Sequence, residues 1–282
     1  MKKFLILAAL ALAVSSTASA SPWIKTFAQA QQKAKSKNQL IFVDLWAEWC
    51  GWCHKFEQDV VPSQAFQNAT DSMVLLRLNT EDQGDGTNLA RRYNVTTLPT
   101  FLILDREGVI AGIIRGYQPP SDFASSIKDV EGRYSAFMKR VSGERAIAGD
   151  FQKRLDLAKE FRVRYALPQA EERLKKLTAE RTAPANVRDE SFYELALTQL
   201  MQKKYDDSMA TIQKFSTVTK TGENYEKSRL LVGDVYLQQG KYDRAAAEYR
   251  NFKAAFPRSQ YVKNVDMILP QIEQRVTTSK KP

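Results

Sequence analysis

The first half of the chain contains four nearly continuous apolar runs, at residues 39–46, 72–79, 100–105 and 109–115. Short apolar runs of this kind, bounded by polar turns, are typical of buried strands. The last two runs are separated by Arg106-Glu107-Gly108, a sequence that favours a hairpin turn. The pattern therefore predicts a sheet of four strands, the last two of them antiparallel.

Between these runs, apolar residues recur at helical spacing. We predict helices over residues 23–37, after Cys50, over residues 88–93, and after the Pro-Pro pair near residue 120. Ser121 or Asp122 would cap the last of these. Strands that alternate with helices predict an α/β domain, which we place at residues 21–140.

From about residue 141 the composition becomes helical, polar and free of cysteine. Val232-Gly233-x-x-Tyr236, Gly240, Tyr242, Ala245-x-x-x-Tyr249 and Pro257 fit the tetratricopeptide pattern. Weaker copies of the motif lie 37 and then 38 residues upstream, around Ala196 and Ala158. We predict an all-α tetratricopeptide-like domain at residues 141–282, with three helix pairs and a capping helix at 261–275. Such repeats commonly bind protein partners, although a purely structural appendage stays open.

The N-terminus has the form of a secretory signal peptide. Two lysines precede a short apolar run at residues 4–14, and Ala18-Ser19-Ala20 forms a cleavage site. The run is short for a membrane span, although an N-terminal anchor is the open alternative. We therefore predict a signal peptide at residues 1–20 and a periplasmic mature protein.

The formal net charge is +10, and cleavage after Ala20 would remove two lysines and leave +8. In the C-terminal half the basic residues alternate with acids, as expected of solvated helix faces. No basic block is interleaved with aromatic residues in the manner of nucleic-acid grooves, so we expect no nucleic-acid partner.

Cys50 and Cys53 are the only cysteines, and they follow the first apolar run directly. A helix that begins there would offer Cys50 unpaired N–H groups and the positive end of its dipole, which favour thiolate. We predict that Cys50 is an exposed nucleophile and that Cys53, one turn inside the helix, is the resolving thiol. A disulfide between residues so close in sequence closes too small a loop to stabilise a fold, so redox chemistry is the better explanation.

The segment Val43-Asp44-Leu-Trp46-Ala-Glu-Trp49-Cys50-Gly51-x-Cys53 resembles the active-site segment of the thioredoxin family. With Lys55-Phe56-Glu57 included, it especially resembles the C-terminal domain of periplasmic disulfide interchange proteins of the DsbD type. The resemblance covers residues 22–130. It implies a thioredoxin-like fold, Cys50 as the attacking thiol, Cys53 as the resolving thiol, and Asp44 as a buried acid that assists proton transfer.

The resemblance also assigns substrate contacts. Pro99 would be cis and face the cysteine pair, and the backbone of Leu98 would pair with a client peptide like an added strand. Trp49, Gly51 and Trp52, which flank the cysteines, would contact the client. Trp52 stands where thioredoxin has proline, so the redox potential stays undetermined.

The implied activity is disulfide reduction or isomerisation on protein clients, with electrons from a membrane donor of the DsbD type. The redox-active disulfide would be the only redox group, with no separate cofactor and no metal. An alternative is a repeat scaffold or chaperone that carries a vestigial redox domain.

The same residues also suggest two other kinds of site. Cys50-Gly-Trp-Cys53-His54 also satisfies the haem attachment motif C-x-x-C-H, with His54 as axial ligand and Met73 as a sixth ligand. The strand, the buried acid and the proline found around the motif favour the thioredoxin interpretation. Two cysteines and one histidine cannot complete a tetrahedral zinc site.

Overall fold

The computed structural model describes residues 23–279, so the predicted signal peptide lies outside the described residues. The strands are β1 Leu40–Trp46, β2 Met73–Asn79, β3 Thr100–Leu104 and β4 Ile110–Arg115. The helices of the first half are α1 Phe27–Lys37, α2 Gly51–Asp59, α3 Gln64–Thr70, α4 Asp85–Arg92 and α5 Pro120–Ser142. After a short 3-10 helix at Glu144–Ile147 come α6 Phe151–Val163, α7 Leu167–Ala179, α8 Ala185–Met201, α9 Tyr205–Val218, α10 Glu223–Gln238, α11 Tyr242–Ala255 and α12 Val262–Ser279. None of the helices within residues 23–279 has the length and apolar character needed to span a membrane.

The strands form one sheet in the order β2-β1-β3-β4, in which only β1 and β2 are parallel. In this register Asp44 of β1 lies opposite Arg77 of β2. The carboxyl ends of β1, β2 and β4 meet the start of β3 at one edge of the sheet, where Leu45 pairs with Thr100 and Thr100 with Arg115. We call this edge the disulfide end, because the cysteine pair directly follows β1.

Helices cover both faces of the sheet, which explains why the strand sequences are apolar at nearly every position. On one face, α2, α3 and α5 pack an aromatic cluster against the strands, in which the ring centroids of Phe56 and Phe101 lie 4.3 Å apart. On the other face, α1 and α4 cover the alternate strand residues, among them Val43 and Leu45. The predicted α/β fold is thereby confirmed.

The first helix begins at Phe27, so the prediction of a helix from residue 23 is wrong for its first four residues. The Ile24 backbone instead pairs beside β2, where its N–H donates to Leu75 and its carbonyl accepts from Arg77. Thr26 then caps the helix by accepting from the Gln29 N–H. Because the Ile24 backbone is hydrogen-bonded to β2, α1 begins only at Phe27.

Two other helix starts also differ from the prediction. The fourth helix begins at Asp85 and not at residue 88, because the Asp82 carboxylate accepts backbone N–H groups of the first turn. The fifth helix begins at Pro120, so the capping role given to Ser121 or Asp122 is wrong. Proline is well suited to the first helical position, since its missing N–H would be unpaired there anyway.

The second half consists of consecutive helices that pack on one another in the pairs α6/α7, α8/α9 and α10/α11, followed by α12. At the last pair, a Cβ added to Gly233 would lie 2.5 Å from the ring of Tyr249, so the two helices approach closely only because residue 233 is glycine. The helical character of this half is confirmed, while its assignment to tetratricopeptide repeats stays a prediction.

The two halves share a packed junction. The long helix α5 crosses the predicted boundary at residues 140 and 141, and its Phe137 packs with Leu155 and Phe161 of α6. Arg164 donates to the carbonyls of Ile110 and Ala111, each at 2.9 Å, and the Ile110 N–H donates back to the Arg164 carbonyl. Because Ile110 begins β4, the helical half is attached at the opposite end of that strand from the disulfide.

Candidate redox site

Cys50 and Cys53 are joined by a disulfide at the N-terminus of α2. Cys50 is the N-cap residue, and its Sγ accepts a hydrogen bond from the Cys53 N–H at 3.2 Å. An N–H that points at sulfur at a helix N-terminus stabilises negative charge on that sulfur in the reduced state. The geometry therefore gives Cys50 Sγ a hydrogen-bond donor at the helix N-terminus. That Cys50 attacks and Cys53 resolves stays a prediction.

The prediction that Cys50 is exposed is wrong for this disulfide-bonded form. Cys50 is only 4% exposed and Cys53 1% exposed. The pair packs with Ala47 and with the half-buried side chains of Trp46 and Leu98. The cap position turns the Cys50 side chain back over the first helical turn, and Leu98 covers the pair from another loop.

The surface around the pair is aromatic. Trp49 is 69% exposed, and its Nε1 donates to Glu81 Oε1 at 2.8 Å. Trp52 is 59% exposed, and its ring lies 5.4 Å from that of Tyr117. Gly51 between them is exposed, and an added Cβ would meet no atom within 4 Å. The residues predicted to contact a client thus lie on the accessible surface at the pair.

The Leu98–Pro99 peptide bond is cis, as predicted. That Pro99 faces the cysteine pair stays a prediction. The Pro99 carbonyl accepts from the Gly116 N–H at 2.9 Å, which fixes this loop to the end of β4. Within residues 23–279, neither the N–H nor the carbonyl of Leu98 has a hydrogen-bond partner. Next to the disulfide, the chain therefore presents one unpaired backbone donor and one unpaired backbone acceptor.

Asp44 is buried in β1, with 1% of its surface exposed. Its Oδ2 lies 3.3 Å from Arg77 Nε, and its Oδ1 has no hydrogen-bond partner among the described residues. Burial raises the pKa of Asp44 to about 7, while the Arg77 charge opposes the rise and Glu57 adds to it. That Asp44 assists proton transfer to a thiol stays a prediction.

Arg77 connects the buried acid to the surface. Its guanidinium forms an ion pair with Glu57, with Nη2 donating to Oε2 at 2.9 Å, and lies 4.6 Å from the ring centroid of Trp46. The hydrogen bond from Arg77 holds the pKa of Glu57 below its ordinary value. A polar cleft of about 400 Å³ opens beside these groups and is lined by Lys25, Trp46, Glu48, His54, Glu57, Arg77, Leu78, Asn79 and Asp82.

The haem alternative does not fit this geometry. His54 Nε2 forms a hydrogen bond with the Glu48 carbonyl at 2.9 Å, which holds the ring against the site loop. Met73 is buried at the first position of β2, opposite Leu40 and so at the far end of the sheet from the disulfide. It cannot serve as a ligand opposite His54. No cluster of metal-binding side chains is found within the part of the chain that the structure describes.

Residues 27–131 match the family model of the thioredoxin-like domain. This part of the chain has a thioredoxin-like fold. Similar curated proteins are the thiol:disulfide interchange proteins DsbD of Actinobacillus pleuropneumoniae, 32% identical over 87 residues, and of Cronobacter sakazakii, 31% identical over 97 residues. These matches cover 30% and 33% of this chain, and 15% and 17% of the two relatives. The chain therefore spans about a sixth of the length of these relatives, and the resemblance to them lies in one domain.

Among solved structures, the oxidised C-terminal domain of Neisseria meningitidis DsbD is 13% identical, with a TM-score of 0.32. The match covers 36% of this chain and 90% of that one.

Sequence reasoning missed two residues of this thioredoxin-like domain. Arg77 interrupts the apolar run of β2, and only the pairing of β1 with β2 places it opposite Asp44. The sequence signal that could have identified Arg77 was a single arginine within an otherwise apolar strand. Tyr117 lies in the loop after β4 and contacts Trp52. The tertiary fold brings these two segments together, so no local pattern identified Tyr117.

The arrangement supports thiol–disulfide exchange. This chemistry needs a sulfur that can become a thiolate and a second thiol that can displace the client from it. The Cys53 N–H that points at Cys50 Sγ and the disulfide between the two cysteines meet these needs.

Proposed function

We propose that this chain is an exported thiol–disulfide oxidoreductase that acts as a reductase or isomerase on protein disulfides. The observation that carries the proposal is the Cys53 N–H aimed at Cys50 Sγ in a thioredoxin-like domain that contains the only two cysteines. The DsbD name of the relatives supports the same chemistry.

The reaction starts from the dithiol form. The Cys50 thiolate attacks a client disulfide, a mixed disulfide forms, and one client cysteine leaves as thiolate. Cys53 then loses its proton, for which Asp44 is the acceptor, and attacks Cys50 Sγ. The second client cysteine leaves with the electron pair. The client gains two electrons, and Cys50 and Cys53 end in the disulfide form, as in this structure.

A dithiol donor must return two electrons to the Cys50–Cys53 disulfide before another turnover. A membrane electron donor of the DsbD type would supply them in the periplasm, to which the proposed signal peptide directs the chain. The client would pair with the unpaired Leu98 backbone beside Pro99 and lie against Trp49, Gly51 and Trp52.

The helical half would bind a protein partner. Its attachment at the end of β4 remote from the disulfide supports this role, because the attachment leaves the disulfide end for clients. The boundary at residues 140 and 141 is the proposed division between the two functions.

Turnover of insulin disulfides in the presence of dithiothreitol tests the activity. The mature protein should accelerate insulin reduction, and Cys50→Ser should abolish the acceleration. Val163→Ala changes an exposed side chain of the helical half and should keep the full rate. No acceleration by the unmodified protein would favour the alternative of a scaffold with a vestigial redox domain.

Capture of clients tests the partners. Cys53→Ala lacks the resolving thiol, so mixed disulfides on Cys50 should accumulate in the periplasm. If the variant captures no protein while Cys50 still reacts with an alkylating agent, a role on protein clients is refuted.

A further inference from the structure

The first helices of the three helix pairs meet along one side of the helical half. Helix α8 packs against both α6 and α10, whereas the second helices α7, α9 and α11 are not in such close contact with one another. Helices that lie closer together on one side than on the other form a curved array, and the closer side is concave. We call the side on which α6, α8 and α10 meet the inner face.

Ion pairs connect α6 with α8 across the inner face. Lys159 of α6 forms an ion pair with Glu190 of α8. Nearby, Arg162 Nε donates to Glu194 Oε2 at 2.5 Å. Glu194 is only 5% exposed, so its ion pair is largely shielded from water. Each of these two acids of α8 is therefore balanced by a cation of α6.

Tyr193 of α8 lies among the charges of all three helices. Lys227 Nζ of α10 is 5.6 Å from the centre of its ring. Burial raises the pKa of the Tyr193 phenol, and the charge of Glu194 adds to the rise. The charges of Lys227 and Arg162 oppose it, while that of Asp234 in α10 adds to it. These four charged side chains therefore all lie close enough to act on one phenol.

Asp234 is the acid of this group that lacks a cation. Its half-buried side chain accepts from the Tyr249 hydroxyl at 2.6 Å, and within residues 23–279 it forms no ion pair. Lys227 is instead paired with Glu223, at 2.7 Å. Burial raises the pKa of Asp234, and only the Tyr249 hydrogen bond opposes the rise. The inner face therefore presents one carboxyl group without a positively charged partner.

The surroundings of Asp234 favour a cation that another molecule brings. The carboxyl group is already shielded from much of the water in the free protein, so a charge pair formed there is stronger than one at an exposed surface. The hydrogen bond from Tyr249 holds the carboxyl group in place, so little conformational entropy is lost when a cation binds.

The dimensions of the inner face indicate what kind of molecule would fit. Packed helices are about 8–10 Å apart, so three neighbouring helices span about 16–20 Å between their axes. An extended polypeptide advances about 3.3 Å per residue, so a segment of about five or six residues crosses this distance. A single small amine would occupy only the surroundings of Asp234 and leave the rest of the inner face open.

We propose that the inner face binds an extended segment of a partner protein, and that a lysine or arginine side chain of this segment pairs with Asp234. The inference rests on the proposed partner role of the helical half and names the chemistry of that partner.

The test selects peptides from a phage-displayed library of random cysteine-free sequences long enough to cross the inner face. The target is the full-length, disulfide-bonded protein, and the absence of cysteine prevents the peptides from reacting with Cys50 and Cys53. The peptides that bind should be enriched in lysine or arginine at one position, relative to the unselected library. A selected peptide is then synthesised with methionine in place of that basic residue. It should bind about tenfold more weakly, as expected for the loss of one partly buried charge pair.

Two variants locate the binding site of the basic residue. Asp234→Asn removes the charge but can still accept from the Tyr249 hydroxyl. It should bind the basic peptide about tenfold more weakly than the unmodified protein does, and it should no longer distinguish the basic peptide from the methionine peptide. Asp207→Asn removes an exposed acid of α9, one of the second helices, and should keep the full tenfold difference. Thermal unfolding followed by circular dichroism checks that each variant is folded.

Each other outcome contradicts a different part of the proposal. Selected peptides without a basic preference, or equal binding of the basic peptide by Asp234→Asn, overturn the inference and leave the partner role of the helical half standing. An equal loss of binding in Asp207→Asn would assign the effect to overall charge and also overturn the pairing with Asp234. Recovery of no peptide refutes both the inference and the partner role. The insulin assay tests the redox function separately, because that reaction takes place at Cys50.

Discussion

Replacing Asp44 with asparagine should stabilise the thioredoxin-like domain, and the gain should depend on pH. Asp44 is buried, and one of its carboxylate oxygens has no hydrogen-bond partner among the described residues. Its pKa rises from 3.8 to about 7, mainly because burial disfavours the charged form. Between about pH 4 and pH 7, Asp44 therefore keeps its proton in the folded protein and has lost it in the unfolded chain.

The magnitude follows from linkage. Between about pH 4 and pH 7 the unfolded chain binds less proton at this residue, so stability falls as the pH rises through that interval. A pKa raised from 3.8 to about 7 corresponds to roughly 4 kcal/mol of folding free energy, and the loss is complete above about pH 7. Asp44→Asn removes the charge at similar volume. It should match the unmodified protein at pH 4 and exceed its stability by up to roughly 4 kcal/mol at pH 8.

The four tryptophans provide the assay. They are Trp23, Trp46, Trp49 and Trp52, so tryptophan fluorescence reports on the thioredoxin-like domain and not on the helical half. Urea unfolding of the disulfide-bonded protein at pH 4, 6 and 8, followed by fluorescence, gives the stability difference. Equal pH dependence in the two proteins would refute the reasoning, because Asp44 would then titrate alike in the folded and unfolded states.

The remaining predictions concern the helical half and its attachment. Gly233→Val should place a side chain against the Tyr249 ring and lower the stability of the helical half by roughly 1–3 kcal/mol, read from thermal unfolding by circular dichroism. An unchanged midpoint would mean that the two helices can separate at no cost. Arg164→Ala should leave the Ile110 and Ala111 carbonyls without these donors and lower the stability by roughly 2–4 kcal/mol. The two halves should then unfold separately, so that the unfolding transition followed by fluorescence no longer coincides with the one followed by circular dichroism. Transitions that stay coincident would show that the junction does not depend on this residue.

The sequence predicted the elements that depend on local pattern. The apolar runs are strands to within one or two residues, Asp44 is buried, and the Leu98–Pro99 bond is cis, as predicted. These features could be predicted because strand burial and the thioredoxin-like motif both depend on residues that are contiguous in the sequence. The helix pair around Gly233 could be predicted for the same reason.

What the sequence could not supply depends on contacts between distant residues. The burial of Cys50 results partly from Leu98, which belongs to another loop. The pairing of Arg77 with Asp44 depends on strand register, and the Tyr117 contact with Trp52 depends on where the chain leaves β4. Such contacts carry no local periodicity, so they became visible only in the fold.

The most direct test of the central claim is which sulfur forms the mixed disulfide. Cys53→Ala and Cys50→Ala proteins, each with one remaining thiol, are incubated with a peptide disulfide at neutral pH, and the adducts are followed by mass spectrometry. Because the Cys53 N–H is aimed at Cys50 Sγ at the start of α2, the protein that retains Cys50 should form the adduct at least tenfold faster. Equal rates, or faster reaction at Cys53, would contradict the account.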